Sequence, residues 1–152
     1  MYQRILVPLD GSVTAERGLH EAIGLAAALK ARLYLLNVVN EFPLYMEMAS
    51  AASFDETMNL MRQRGEDMLA QAKNAAIDTG VPDAVMLFRE VVQGSVADVI
   101  IEEANKHDCN LIVMGTHGRR GLSRLTMGSN AELVVRGSPV PVLLVRQEEP
   151  KS

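Results

Sequence analysis

Apolar residues along this chain keep two alternating rhythms. Five short runs are almost continuously apolar: residues 5–9, 32–39, 84–88, 110–114 and 140–145. Runs of that length, bounded by turn residues, read as strands buried on both faces. Longer stretches between them place apolar residues three and four apart. Residues 15–30 carry Leu19, Ile23, Ala26, Ala27 and Leu29, and residues 55–79 carry Met58, Met61, Met68, Leu69, Ala72 and Ala76. That spacing predicts helices with one buried stripe each.

Punctuation agrees with the rhythm. Asp10-Gly11 is a turn pair that ends the first run, and Ser12 stands where a helix needs an N-cap. Gly80-Val-Pro82 ends the second helix, and Ser95-x-x-Asp98 has the form of a capping box opening a helix that runs to about His107. A last amphipathic segment covers residues 130–136. From Asn40 to about Phe54 neither rhythm holds, which predicts a long crossover loop. The order is β-α-β-α-β-α-β-α-β, with no internal repeat. Strands that are apolar throughout, separated by helices, predict an α/β domain whose open parallel sheet has helices on both faces. Residues 1–147 are expected to form one domain and residues 148–152 a short polar tail.

Composition narrows the class. A chain of 152 residues with 48% hydrophobic content supports one substantial core. Its formal net charge of −4 gives no global positive field to recruit nucleic acid or an anionic membrane. No apolar run approaches the roughly 20 residues that span a bilayer, and the N-terminus lacks a basic segment followed by a long apolar one. Cys109 is the single cysteine, which excludes an internal disulfide and a cysteine zinc cluster. A cytoplasmic protein is the expectation.

The most informative segment is Gly115-Thr-His-Gly118-Arg-Arg-Gly121-Leu-Ser-Arg-Leu-Thr-Met-Gly128-Ser129. It follows the strand at 110–114 and precedes the helix at 130–136. A strand that empties into a glycine-rich loop and then a helix start is an arrangement for binding phosphate. Glycine lets the main chain approach an anion, and the helix start offers free N–H groups and a positive dipole end. Arg119, Arg120 and Arg124 add positive charge, either as phosphate ligands or as solvating charge on the loop. In an open parallel sheet, ligands sit beyond the carboxyl ends of the strands where the chain order reverses. Asp10-Gly-Ser12, Val38-Val-Asn40 and the glycine loop all lie at such ends. Asp10 there would hold a hydrated Mg²⁺ or accept from a ribose hydroxyl, or else simply shape the turn. Ser129 would bond phosphate, cap its helix, or do both.

Other candidates carry less. G-x-x-x-x-G-K-[ST] is absent, so a Walker-type site is excluded, and G-x-G-x-x-G does not follow the first strand. His117 lies in the loop with no carboxylate placed to orient it, while His20 and His107 read as surface residues. Ser123 and Thr126 have no identifiable base. Cys109 reads as a small buried hydrophobe. Core filling accounts for the methionines after Phe54; Met46 and Met48 fall in the irregular segment, where the alternatives are a lid or a contact surface.

Ile5-Leu-Val-Pro-Leu-Asp-Gly-Ser12, Leu35-Leu-Asn-Val38, Met114-Gly-Thr-His-Gly118…Gly128-Ser129 and Pro139-Val-Pro-Val-Leu-Leu-Val-Arg146 together resemble the universal stress protein family, over essentially the whole chain. The resemblance implies a Rossmann-like fold with strand order 3-2-1-4-5 that binds an adenine nucleotide: ATP, or AMP or ADP, with Mg²⁺. It implies that Pro8, Leu9 and Asp10 lie on the adenosine and metal side, with Asp10 the metal residue, and that Val38 supplies backbone bonds to adenine. Met114, Gly115, His117 and Gly118 would line ribose and phosphates, with Gly128, Ser129 and Asn130 closing over the phosphates. The complete G-x2-G-x9-G-S pattern resembles the ATP-binding branch. Asn130 stands where many relatives carry an apolar residue, adding a side chain able to reach phosphate. The resemblance also implies a homodimer through the last strand, Val140 to Val145, with a tetramer as the larger alternative. An exposed apolar edge there agrees, since such edges are usually covered or paired.

The leading expectation is an ATP-binding regulator in stress response, ordered by its nucleotide over the glycine loop and the Asn40 to Phe54 segment. The alternatives are a slow ATPase or nucleotidyl-transfer enzyme using the same loop, and an interaction module that binds no nucleotide.

Overall fold

The chain alternates strand and helix: β1 (Arg4–Pro8), α1 (Val13–Leu29), β2 (Arg32–Asn40), α2 (Ala51–Asp78), β3 (Ala84–Val91), α3 (Val96–Lys106), β4 (Leu111–Gly115), α4 (Ser129–Gly137) and β5 (Val142–Val145). These elements come from a computed structural model that describes residues 1–41, 51–117 and 127–148, with residues 51 and 52 described by backbone alone. The strands are all parallel and lie in the order β3-β2-β1-β4-β5. This is the α/β fold and the strand order that the resemblance implied. No described helix is long and apolar enough to cross a membrane.

Two apolar layers explain why the strands read as continuous runs. Ile5, Val7, Leu33, Leu35, Leu111 and Val113 face α1 and α2, whereas Leu6, Tyr34, Leu36, Ile112 and Met114 face α3 and α4. A strand in the middle of such a sandwich has no solvent side, so each position along β1 from Ile5 to Val7 is buried. Each of those side chains contributes about 1.5–3 kcal/mol by leaving water.

Several boundaries differ from the sequence expectation. Helix α2 already includes residues 51–54, which the expected loop had claimed; alanine and serine there give no apolar rhythm to read. Strand β3 runs three residues beyond Phe88 because Arg89 and Glu90 are charged yet partnered. Arg62 grips both carboxylate oxygens of Glu90, and Arg89 reaches Glu102 at 3.2 Å and the buried Glu103. On α1, Ala27 is exposed, while Leu19, Ile23 and Ala26 form the buried stripe. On α2, Met58, Leu69, Ala72 and Ala76 are buried and Met68 packs at their margin, so core filling accounts for these methionines. Met46 and Met48 lie outside the described residues. His20 is exposed as expected. His107 is not a free surface residue: its Nε2 lies 3.1 Å from Glu103 Oε2 and its ring packs on Tyr34. Cys109 is buried, and burial pushes its thiol up to about 12, which keeps it protonated and unreactive.

Two contacts govern the carboxyl end of the sheet. The first is the approach of α1 to β4. A Cβ on Gly115 would fall 2.6 Å from the carbonyl carbon of Thr14 and 2.8 Å from the main-chain nitrogen of Ala15. Backbone cannot step aside as a side chain can, so glycine is needed here for packing, independent of any ligand. The second is a carboxyl pair at the end of β2. Glu41 continues the ladder, its N–H donating to Val91 O at 2.8 Å, and its buried carboxyl hydrogen-bonds Glu90. Burial and the neighbouring Glu90 raise Glu41 above the ordinary carboxylate range, while the hydrogen bonds from Arg62 hold Glu90 below it.

Substituting Gly115 by alanine is therefore expected to destabilise the fold by about 2–3 kcal/mol, the upper range for overpacking, read by urea unfolding of the ligand-free protein. Wild-type stability in that variant would contradict the packing role. The carboxyl pair predicts a pH dependence. The folded state holds the proton of Glu41 more tightly than the unfolded chain does, so its contribution is full below the ordinary carboxylate range and is lost as pH rises through its raised value. Glu90 has the opposite sign, its contribution being lost as pH falls through its lowered value. Glu41→Gln keeps a neutral donor at every pH. It should exceed wild type in stability by roughly 1 kcal/mol at about pH 8, one buried hydrogen bond's worth, and approach it as pH falls below the ordinary carboxylate range. A pH-independent difference would overturn the shared proton.

Candidate functional site

The strand order makes the site. From β1 the chain goes to β2 on one side and later returns to β4 on the other, so the loops leaving β1 and β4 diverge and leave a crevice between them. A cavity of about 510 Å³ occupies that crevice. The β1 exit contributes Pro8, Leu9 and Asp10 to its walls, β2 contributes Val38 and Asn40, and the β4 exit contributes Met114 through His117. Gly128, Ser129, Asn130 and Ala131 close it from the start of α4.

Ten of the twelve residues expected from sequence thus line one cavity: Pro8, Leu9, Asp10, Val38, Met114, Gly115, His117, Gly128, Ser129 and Asn130. Gly118 and Arg119 lie outside the described residues, as do Arg120, Ser123, Arg124 and Thr126. Sequence reasoning missed Val96 and Ile100, which bring the first turns of α3 to the cavity, and it gave no role to Thr116. The Ser95 capping box carried a signal for the first two. It fixes where α3 begins, and residues one turn apart on that start share a face with the sheet's carboxyl end.

Local hydrogen bonds fix the two exits relative to each other. Asp10 Oδ1 accepts the Ser12 N–H at 2.9 Å, and Gly11 takes the left-handed φ of +82° that the turn requires. Ser12 is the N-cap of α1, its Oγ accepting from the Ala15 N–H at 3.2 Å. The same hydroxyl donates to His117 O at 3.3 Å, as does the Thr14 hydroxyl, and the His117 N–H returns to Thr14 Oγ1 at 3.3 Å. Asp10 therefore does shape the turn, as its plainer reading held, while still standing on the cavity wall. His117 Nδ1 pairs with Thr116 Oγ1 at 2.9 Å. His117 Nε2 is buried and has no hydrogen-bond partner among the described residues.

Helix α4 begins differently from what Ser129 alone implied. Gly128, not Ser129, is the N-cap, so no side chain caps this helix, and its φ of −61° is open to any residue. Gly128 N–H is anchored on Thr116 O at 2.7 Å, and the first helical bond comes from Glu132 N–H to Gly128 O at 3.0 Å. The amides of Ser129, Asn130 and Ala131 precede that first helical donor, and all three residues line the cavity. Such a start attracts an anion. Leu36, Val38, Val96, Ile100 and Met114 supply an apolar wall of the kind that accepts a flat ring. Among the described residues no three His, Cys, Asp or Glu side chains gather to hold a metal. A cation at Asp10 would need phosphate oxygens and water to complete its shell, which is how Mg²⁺ is usually bound.

Comparison with known proteins agrees with this geometry. The profile of the universal stress protein family matches residues 1–146. A universal stress protein of Methanocaldococcus jannaschii is 33% identical over 147 residues, covering 97% of this chain and 84% of its own. The solved universal stress protein UspA of Lactobacillus plantarum superimposes with a TM-score of 0.83 at 26% identity, over 95% of this chain and 98% of that one. A universal stress protein solved in complex with cAMP superimposes with a TM-score of 0.68 at 26% identity, over 97% and 98% of the two chains. With the strand order, the reversal crevice and these matches together, the chain belongs to the universal stress protein family.

Proposed function

We propose that this protein binds an adenine nucleotide in the β1/β4 crevice, ATP with Mg²⁺ in its working state, and acts as a nucleotide-dependent regulator of the stress response in the cytoplasm. The observation that carries the reading is the start of α4, which presents three amides and no side-chain cap to a cavity with an apolar wall. In this arrangement the phosphates lie against Gly128, Ser129 and Asn130, and the base lies against the apolar wall near Val38. Asp10 faces the metal or the ribose. His117 Nε2, buried and lacking a partner among the described residues, is a polar atom that a bound ribose or phosphate would satisfy. The cAMP complex of a family member supports adenine as the base.

The same proposal includes a homodimer. Strand β5 pairs with β4 along one edge and is the last strand of the sheet on that side, where Leu143 is 39% exposed. Pairing two such edges about a two-fold axis would cover them.

Titration calorimetry should give an ATP dissociation constant of about 1–100 μM, an affinity of roughly 5–8 kcal/mol. Gly128→Val should weaken it at least about tenfold, because its Cβ branch would enter the phosphate position. The same variant should keep its thermal midpoint within a few degrees, since this φ suits valine. Undiminished affinity in the folded variant removes the assignment of the phosphates to α4. For assembly, sedimentation should report twice the 16.6 kDa chain for wild type and a monomer for Leu143→Glu; a variant that stays dimeric contradicts pairing through β5.

A further inference from the structure

Behind the cavity, on the opposite face of β2, a buried amide has no explanation in packing. Asn37 lies among the apolar residues under α2 and is only 6% exposed. Its Nδ2 donates to Leu9 O at 2.8 Å and lies 3.8 Å from Met68 Sδ. Its Oδ1 has no hydrogen-bond partner among the described residues. The orientation of the amide is set by Leu9 O, which can only accept. A buried acceptor without a partner destabilises a fold, and leucine would fill the same slot without one. What leucine lacks is the donor.

That donor acts where the main-chain ladder stops. The register between β1 and β2 ends at Pro8 opposite Leu36. Beyond it, Leu9 N–H still reaches Leu36 O at 2.7 Å, and the next acceptor along, Leu9 O, is taken by Asn37. One residue later the chain turns at Asp10, whose Oδ1 holds the Ser12 N–H, and Ser12 Oγ in turn donates to His117 O. A line of hydrogen bonds thus runs from β2 through the β1 exit to the β4 exit.

Helix α2 is shaped to allow it. A Cβ on Gly65 would lie 2.5 Å from Asn37 Oδ1 and 2.8 Å from the Phe88 ring. Glycine at 65 leaves the amide the room it occupies.

We propose that Asn37 is a positioning residue: it holds the exit of β1, and with it Asp10, at the wall of the nucleotide cavity, and Gly65 makes room for it. The proposal rests on the nucleotide reading only for its functional consequence; the positioning itself belongs to the ligand-free protein.

The test has two arms. In ligand-free protein, amide hydrogen exchange read by NMR should quicken at least about tenfold at Leu9 and Ser12 in Asn37→Leu, with the Ile112 amide on the far side of β1 unchanged as the internal control. Gly65→Ala, which displaces the amide without removing it, should quicken the same two amides, and it decides the matter if Asn37→Leu does not fold. In the binding arm, the gain in ATP affinity on adding Mg²⁺ should fall in Asn37→Leu about as far as in Asp10→Ala. The double variant should be no worse than Asp10→Ala, because the two act on one interaction. Wild-type exchange at Leu9 and Ser12 in either folded variant overturns the proposal, as does full additivity in the double variant. A wild-type protein that binds no ATP would instead remove the nucleotide reading, with the exchange arm still deciding the role of Asn37.

Discussion

Everything at the carboxyl end of this sheet depends on how closely the first turn of α1 approaches the exit of β4. Gly115 leaves no side chain between the two backbones, and the hydroxyls of Ser12 and Thr14 then reach across to His117 O. A parallel sheet whose order reverses opens a crevice at this point in any case. The width and rigidity of the crevice are set by that contact. It fixes His117 and Thr116, Thr116 O anchors Gly128 N–H, and Gly128 starts α4. The start of α4 is thus tied, bond by bond, to the turn that carries Asp10.

This arrangement assigns the glycines different work. In sequence Gly115 and Gly128 read as parts of one phosphate-binding set, and Gly11 as half of a turn pair. In the fold, Gly11 supplies a left-handed turn, Gly115 supplies a backbone contact, and Gly128 has an extended conformation whose φ any residue can adopt. A glycine motif can therefore be correct as a signature while mixing packing and binding constraints in its individual positions.

How much of this was legible in the chain follows from the range of the interactions. The strands announced themselves because Ile5 to Val7, Leu33 to Leu36 and Leu111 to Val113 are buried on both faces and tolerate nothing polar. The caps at Ser12 and Ser95 were legible because their partners lie three residues away. Contacts between residues distant in sequence were not. Glu41, Arg62 and Glu90 are three ordinary charged residues until β2, α2 and β3 bring them together. His107 looked like a surface residue because nothing local reveals Tyr34 beneath it. Asn37 sat inside a recognised strand motif, yet its donor has a partner just beyond the end of another strand and its acceptor has none among the described residues. Asp10, Val38, Gly115, His117, Gly128 and Ser129 were legible at strand exits and in a glycine loop, which topology sends to one place, whereas Pro8, Leu9, Met114 and Asn130 came from the family resemblance. Val96 and Ile100 carried no such signal, because apolar helix positions look alike whether they line a cavity or fill a core.

The proposed function requires the start of α4 to receive the phosphates of an adenine nucleotide. The direct measurement is a ¹H–¹⁵N NMR titration of the full chain with ATP and Mg²⁺. The account predicts that the amides of Ser129, Asn130 and Ala131 shift strongly to lower field as they take up charge-assisted hydrogen bonds, together with smaller shifts at Val38 and Asp10. Saturable binding that leaves those three amides in place, or moves only residues remote from the β1/β4 crevice, would contradict it.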